Sequence, residues 1–190
     1  RVDFATFSGH KFHAVRGVGF VYKKAGKKIT PLLTGGGQEK DFRSTTENVA
    51  GVASMAKALR LVTDKEEFSL PKIAKMKKII FDELAKYQDI TIFSGEGEDF
   101  APNILTFGIK GVRGEVIVHA FEEHQIYIST TSACSSKAGK PAGTLISMGV
   151  PTKLAQTAVR ISLDDDNDMG QVEQFLTIFK QVYAKTQKVR

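Results

Sequence analysis

With 190 residues the chain has room for one compact domain or one and a half, and 42% hydrophobic with 25% charged residues describes a globular protein, not a disordered, collagenous or disulfide-rich one. A single cysteine, Cys134, excludes an internal disulfide and any multi-cysteine zinc or iron–sulfur cage built by this chain alone, which fits a reducing, cytoplasmic setting. The net charge of +6 favours acidic partners or phosphates, or is simply a solvated basic surface; the sequence shows neither a nucleic-acid motif with interleaved aromatics nor an apolar run of about 18 residues that would span a membrane.

A strand is expected from Val2 to Phe7, and because the chain starts inside it without Met, the start reads as a cut. A second strand over Gly17–Tyr22 runs into the basic turn Lys23 to Lys28, and Gly35-Gly36-Gly37 demands a loop. From Glu47, apolar residues at Val49, Val52, Ala53, Ala56, Leu59 and Leu61 predict a helix that Thr46 or Asn48 can cap. Pro71 separates it from a second periodic stretch, Ile73 to Tyr87, so the connector is one long helix or a broken one. Strands then follow at Ile90–Phe93 and Asn103–Ile109, a helix near Glu115–His124, and a strand at Ile126–Ser129. A loop to Pro141 leads to a short helix at Gly143–Met148, a strand near Ala158–Leu163 and a closing helix from Met169 to about Lys185. Strands interleaved with helices argue for an α/β or α+β layer domain.

Four places can carry chemistry. Lys11, beside Ser8 and His10 where the first strand runs out, suits a Schiff base with a phosphorylated aldehyde, or is a solvated charge. The hydroxyls of Thr45 and Thr46 ahead of the long helix can hold a phosphate, or merely cap it. Cys134 lies among small and hydroxyl-bearing residues with Lys137 nearby, as an accessible thiolate or a structural thiol. Arg160, a lone charge between apolar neighbours, can clamp a carboxylate with two parallel hydrogen bonds or pair with an acid in Asp164 to Asp166. The four histidines lack metal-ligand spacing, so no metal is expected.

Taken in order, Ser8-Gly9-His10-Lys11-Phe12-His13, Arg16-Gly17-Val18-Gly19, Gly35-Gly36-Gly37-Gln38-Glu39, Arg43-Ser44-Thr45-Thr46-Glu47-Asn48, Ser132-Ala133-Cys134-Ser135-Ser136 and Val159-Arg160-Ile161-Ser162-Leu163 resemble the cysteine desulfurases. These form part of the class V aminotransferase branch of fold type I pyridoxal-phosphate enzymes, and the nearest group supplies sulfur for iron–sulfur clusters and thiolated tRNA. The resemblance implies pyridoxal 5'-phosphate as cofactor, with Lys11 as its Schiff-base lysine, Ser8 and His10 on its phosphate, and Thr46 reaching the phosphate of the other subunit of a homodimer. It implies that Arg160 clamps the carboxylate of L-cysteine and that Cys134 takes its sulfur as a persulfide, releasing L-alanine, then passes it to an acceptor protein, an iron–sulfur scaffold or a tRNA-thiolation enzyme. Direct nucleic-acid and membrane binding are not implied.

The resemblance departs at Thr45 and Thr131, where the family has glycine, and in length. The family's ring-stacking His, its Asp on the pyridine nitrogen, its Gln on the cofactor hydroxyl and its Asn near the carboxylate lie upstream of the lysine motif. The chain therefore resembles a C-terminal half, with a remnant of the large cofactor domain over 1–48, connector helices over 49–88 and the small α/β domain over 89–190. Very low activity is expected of the isolated chain. The alternatives are another class V enzyme, a selenocysteine lyase or an aminotransferase, and a non-catalytic interaction fragment.

Overall fold

The computed structural model describes residues 2–97, 99–130 and 143–188. The chain divides into two compact units, Arg1–Glu67 and Phe68–Arg190.

In the first unit, β1 (Phe4–Ser8) and β2 (Gly19–Lys23) pair antiparallel from Phe4↔Lys23 to Ser8↔Gly19. Both strands start two residues later than their apolar runs; for β2 the cause is Gly17, at φ +86°, which belongs to the turn leading into it. Phe7 and Phe20, opposite one another, stack with ring centroids 4.6 Å apart, the kind of cross-strand aromatic contact that fixes register. Helix α1 (Val49–Leu84) begins here, and its cap is Asn48, whose Oδ1 accepts the Gly51 N–H at 3.0 Å.

Helix α1 runs through Pro71 without a break. Proline cannot donate to the carbonyl of Glu67 four residues back, so the ladder lacks a bond just where one unit gives way to the next. Packing of the following turns keeps the second part helical: Ile73, Met76, Ile80 and Leu84 are all buried.

The second unit is built on a four-stranded antiparallel sheet in the order β3 (Ile90–Ile92), β4 (Ile104–Ile109), β6 (Ala158–Ser162), β5 (Ser129–Thr130). Alternation sends Leu105, Phe107, Ile109, Val159 and Ile161 to one face, where they meet α1, α2 (Gly114–Glu122) and α5 (Met169–Lys188) in the main core. Among the described residues, the opposite face carries a smaller cluster. Leu145 of α3 (Gly143–Ser147) and Ala155 of α4 (Thr152–Ala155) pack there against Ala158. Helix α5 opens on a capping box: Asp168 Oδ1 accepts the Gln171 N–H at 2.9 Å while Gln171 Oε1 accepts the Asp168 N–H at 3.3 Å.

The α+β character expected from the sequence is what these antiparallel sheets and packed helices form. Two local differences have plain causes. The apolar run Ile126–Ser129 forms a strand only from Ser129, because Gln125 adopts φ +60° and Ile126 and Ile128 pack on the core outside the ladder. Helix α4, four residues long, is too short to show a helical period.

One core position is a surprise. Lys77 falls on the apolar stripe of α1 between Ile73 and Ile80 and is only 6% exposed. Its ammonium donates to the carbonyls of Gly95 (3.1 Å) and Ala101 (2.8 Å), clasping both ends of the loop that joins β3 to β4. Burial pushes its pKa below the ordinary lysine value, with nearby Glu96 acting in the opposite direction.

Candidate active site

Strand β1 ends on Ser8, and Gly9–Phe12 form a tight 3-10 turn that His13 closes at φ +70°. Gly9 is buried, donating to Val18 O at 2.9 Å and accepting from Ala14 N at 3.0 Å. A Cβ on Gly9 would lie 2.9 Å from Val18 O, and one on Gly19 would collide with Phe7 O. Two close backbone approaches therefore pinch the segment into a closed loop, and Phe12 meets Phe20 edge-on at 6.3 Å beneath it. Ser8, His10 and Lys11 all emerge exposed from this one turn.

Thr46 lies in a later segment of the same unit, exposed, ahead of α1. Its neighbour Thr45 accepts from Arg43 at 2.6 Å and donates to Thr46 O at 3.0 Å. With Asn48 as the cap, the Thr46 hydroxyl is not needed to satisfy the helix end.

Arg160 belongs to the second unit. It stands in mid-β6, opposite Thr106 of β4 on one side and Ser129 of β5 on the other, so its side chain shares the face opposite the main core with those two hydroxyls. Its Nε is buried and has no hydrogen-bond partner among the described residues, and no carboxylate among them pairs with its guanidinium. An unpaired buried donor costs on the order of 1–3 kcal/mol, and a guanidinium offers a fork of donors suited to a carboxylate. The alternative partners, Asp164 to Asp166, sit in the loop after β6, where Asp164 N donates to Asn167 Oδ1 at 2.8 Å and Asp165 O accepts from Lys72 at 2.7 Å.

Cys134 and Thr131 lie outside the described residues. The hydroxyls of Thr106 and Ser129 beside Arg160 escaped the sequence reading, since only the cross-strand register brings them there; alternation along β4 was the one available signal. A concavity of about 280 Å³ lined by Gln125, Ile128, Ile161, Leu163, Gln171 and Phe175 does not include Arg160. Among the described residues no three His, Cys, Asp or Glu side chains gather as a metal site, and no helix is long and apolar enough to cross a membrane.

Residues 1–175 match the family model described as aminotransferase class-V. The chain belongs to the class V aminotransferase family. Within it, this member is 46% identical over 189 residues to a "NifS/IcsS protein homolog" of Lactobacillus delbrueckii, covering 100% of the chain and 49% of that relative. It is 34% identical over 162 residues to "Cysteine desulfurase IscS" of Dictyoglomus turgidum, covering 85% of the chain and 41% of the relative. Among solved structures, a NifS-like protein from Rickettsia africae superposes with TM-score 0.82 at 32% identity over 96% of this chain and 48% of that one. This class V aminotransferase chain thus spans about half the length of the curated relatives it matches.

Proposed function

We propose that the whole protein is a pyridoxal-phosphate-dependent cysteine desulfurase, converting L-cysteine to L-alanine and passing sulfur to acceptor proteins for iron–sulfur clusters or tRNA thiolation. The observation that carries this reading is Arg160: a guanidinium whose buried Nε has no partner among the described residues, set between two hydroxyl-bearing residues on one face of a sheet, suits the carboxylate of an amino acid. Relatives named cysteine desulfurase support it.

The residues present fit the aldehyde and phosphate ends of the cofactor: an exposed amine, a hydroxyl and an imidazole on one turn, with backbone closely approached at Gly9. In this proposal Lys11 holds the aldehyde carbon, Ser8 and His10 hold the phosphate, and Thr46 serves the phosphate of the second subunit of a homodimer. When bound, pyridoxal phosphate supplies an electron sink at the substrate's α-carbon. Arg160 fixes the carboxylate and so the orientation of the carbon–sulfur bond. Cys134, as thiolate, forms a sulfur–sulfur bond as that carbon–sulfur bond breaks; Lys11 returns a proton to carbon, and L-alanine leaves a persulfide on the protein. The sulfur then passes to a thiol of the acceptor.

The test has two arms. Pyridoxal phosphate is added to this chain and reduced with borohydride, and the adduct is mapped by peptide mass spectrometry; concentration on Lys11 is expected. In the full-length protein, Cys134→Ser is expected to abolish alanine formation from L-cysteine, and Arg160→Gln to raise KM more than it lowers kcat. Alanine formation that survives Cys134→Ser overturns the reading, whereas label scattered over surface lysines means that Lys11 needs the rest of the protein to hold the aldehyde.

A further inference from the structure

Strand β6 bonds to β4 and to β5 on alternate residues, and the phase of that alternation sets what stands nearest to Arg160. Leu163 N donates to Asn103 O at 2.8 Å, continuing the ladder in which Ile161 faces Leu105 and Val159 faces Phe107. Arg160 and Thr106 therefore form an intervening pair, whose backbone groups turn away from one another; the Cα atoms of such pairs lie about 4.5 Å apart. Toward Ser129, by contrast, Arg160 turns its backbone groups, and pairs of that kind stand about 5.5 Å apart. Of the two hydroxyls beside the guanidinium, the alternation brings Thr106 closer.

Thr106 is buried, and its main chain is held from the far side. Its N–H donates to Ser94 Oγ at 2.8 Å, and its carbonyl accepts from Phe93 N at 2.8 Å and Ser94 N at 3.4 Å. Lys77 holds the next residue, Gly95, by its carbonyl at 3.1 Å. The Thr106 hydroxyl, by contrast, makes no hydrogen bond among the described residues. Beside it lies the buried Arg160 Nε, equally without a partner among them. A fixed, uncommitted acceptor thus stands next to an uncommitted donor.

We propose that Thr106 is a positioning residue for Arg160: its hydroxyl accepts the Nε–H when the guanidinium engages a carboxylate. The inference rests on the reading of Arg160 as a carboxylate clamp. A β-branched side chain has few rotamers to give up, so little freedom is lost in making this bond. With Nε satisfied from the strand side, the two terminal nitrogens are presented together, in the fork that gives a carboxylate two parallel hydrogen bonds. The ligand-bound state gains a bond that the free protein lacks. Thr106 therefore strengthens substrate binding and leaves the stability of the free protein nearly untouched.

The experiment follows alanine formation from L-cysteine by the full-length protein with pyridoxal phosphate bound, in Thr106→Val, Thr106→Ser, Arg160→Lys and the double variant Thr106→Val/Arg160→Lys. Thr106→Val keeps the shape and removes the acceptor, so KM should rise about tenfold with kcat within about twofold of the parent, and Thr106→Ser should restore most of the loss. The inhibition constant of L-alanine, which carries the carboxylate without the sulfur, should rise by the same factor as KM. The urea midpoint of Thr106→Val should equal or exceed the parent's. Lysine lacks the Nε–H, so adding Thr106→Val to Arg160→Lys should change KM by less than about twofold. A KM penalty of the same size in the Arg160→Lys background, or a lowered urea midpoint, overturns the proposal. An unchanged KM in Thr106→Val beside a raised one in Arg160→Lys overturns this inference alone; if Arg160→Lys also leaves KM unchanged, the carboxylate reading falls and the inference with it.

Discussion

Replacing Lys77 by Met isolates what a buried cation does in the second unit. Met fills nearly the same volume and restores an apolar stripe on α1, so little packing is lost. What disappears is the pair of hydrogen bonds from the ammonium to the carbonyls of Gly95 and Ala101. Each charge-assisted bond is worth about 1.5–3 kcal/mol when its partner is left behind, and the recovered apolar burial offsets part of the sum. A net loss of about 2–4 kcal/mol at neutral pH is expected. Urea unfolding followed by near-ultraviolet circular dichroism suits the measurement: the protein has no tryptophan, and three of its four tyrosines, Tyr87, Tyr127 and Tyr183, lie in the second unit. The pH dependence adds a sign. Burial holds the folded-state pKa below the unfolded value of 10.5, so the unfolded chain binds the proton more tightly. Parent stability therefore gains from this group as pH rises through the window ending at 10.5, and the variant lacks that gain. The cost of Lys77→Met should grow across that window, while Lys78 and Lys86, whose pKa values are raised by Asp82 and Glu83, are common to both proteins and cancel. A loss under about 1 kcal/mol, or a cost that shrinks with rising pH, refutes the reasoning.

Pro71→Ala restores a donor to the α1 ladder opposite the Glu67 carbonyl and should raise stability by about 1–3 kcal/mol, read as a higher urea midpoint; an unchanged midpoint would mean that packing alone sets the helix there. Asn48→Ala removes the α1 cap at a cost of about 1 kcal/mol, so hydrogen exchange at Gly51 and its neighbours should quicken about fivefold, and unaltered exchange would assign the cap elsewhere.

Strands were legible wherever their apolar residues were also paired: β4 and β6 lie within their predicted runs, because alternation and burial coincide there. Ile126–Ile128 misled because burial came without pairing, a distinction that composition does not carry. Pro71 left the connector open between one helix and two, and only the buried turns after it decide for one. At the candidate site, Ser8, His10 and Lys11 share a turn because they are adjacent in sequence. The setting of Arg160 between Thr106 and Ser129 depends on pairings of residues 54 and 31 positions away, which a linear reading does not reach. Lys77 was invisible for the same reason: its acceptors are backbone carbonyls on a distant loop, and carbonyls have no sequence signature.

The pinch between Gly9 and Gly19 bears on how mutational screens of this protein are read. Any side chain at Gly19 runs into the carbonyl of Phe7, and one at Gly9 crowds that of Val18, so both positions will score as intolerant in a survival assay although neither glycine offers a reactive atom. Exposed Ser8 and His10, by contrast, accept many replacements without disturbing the backbone. A map of tolerated substitutions scored by abundance would mark the glycines and spare their neighbours; under the proposed function, one scored by turnover would mark all four. The difference between the two maps, and neither alone, separates the residues that shape this loop from those that act on what it holds.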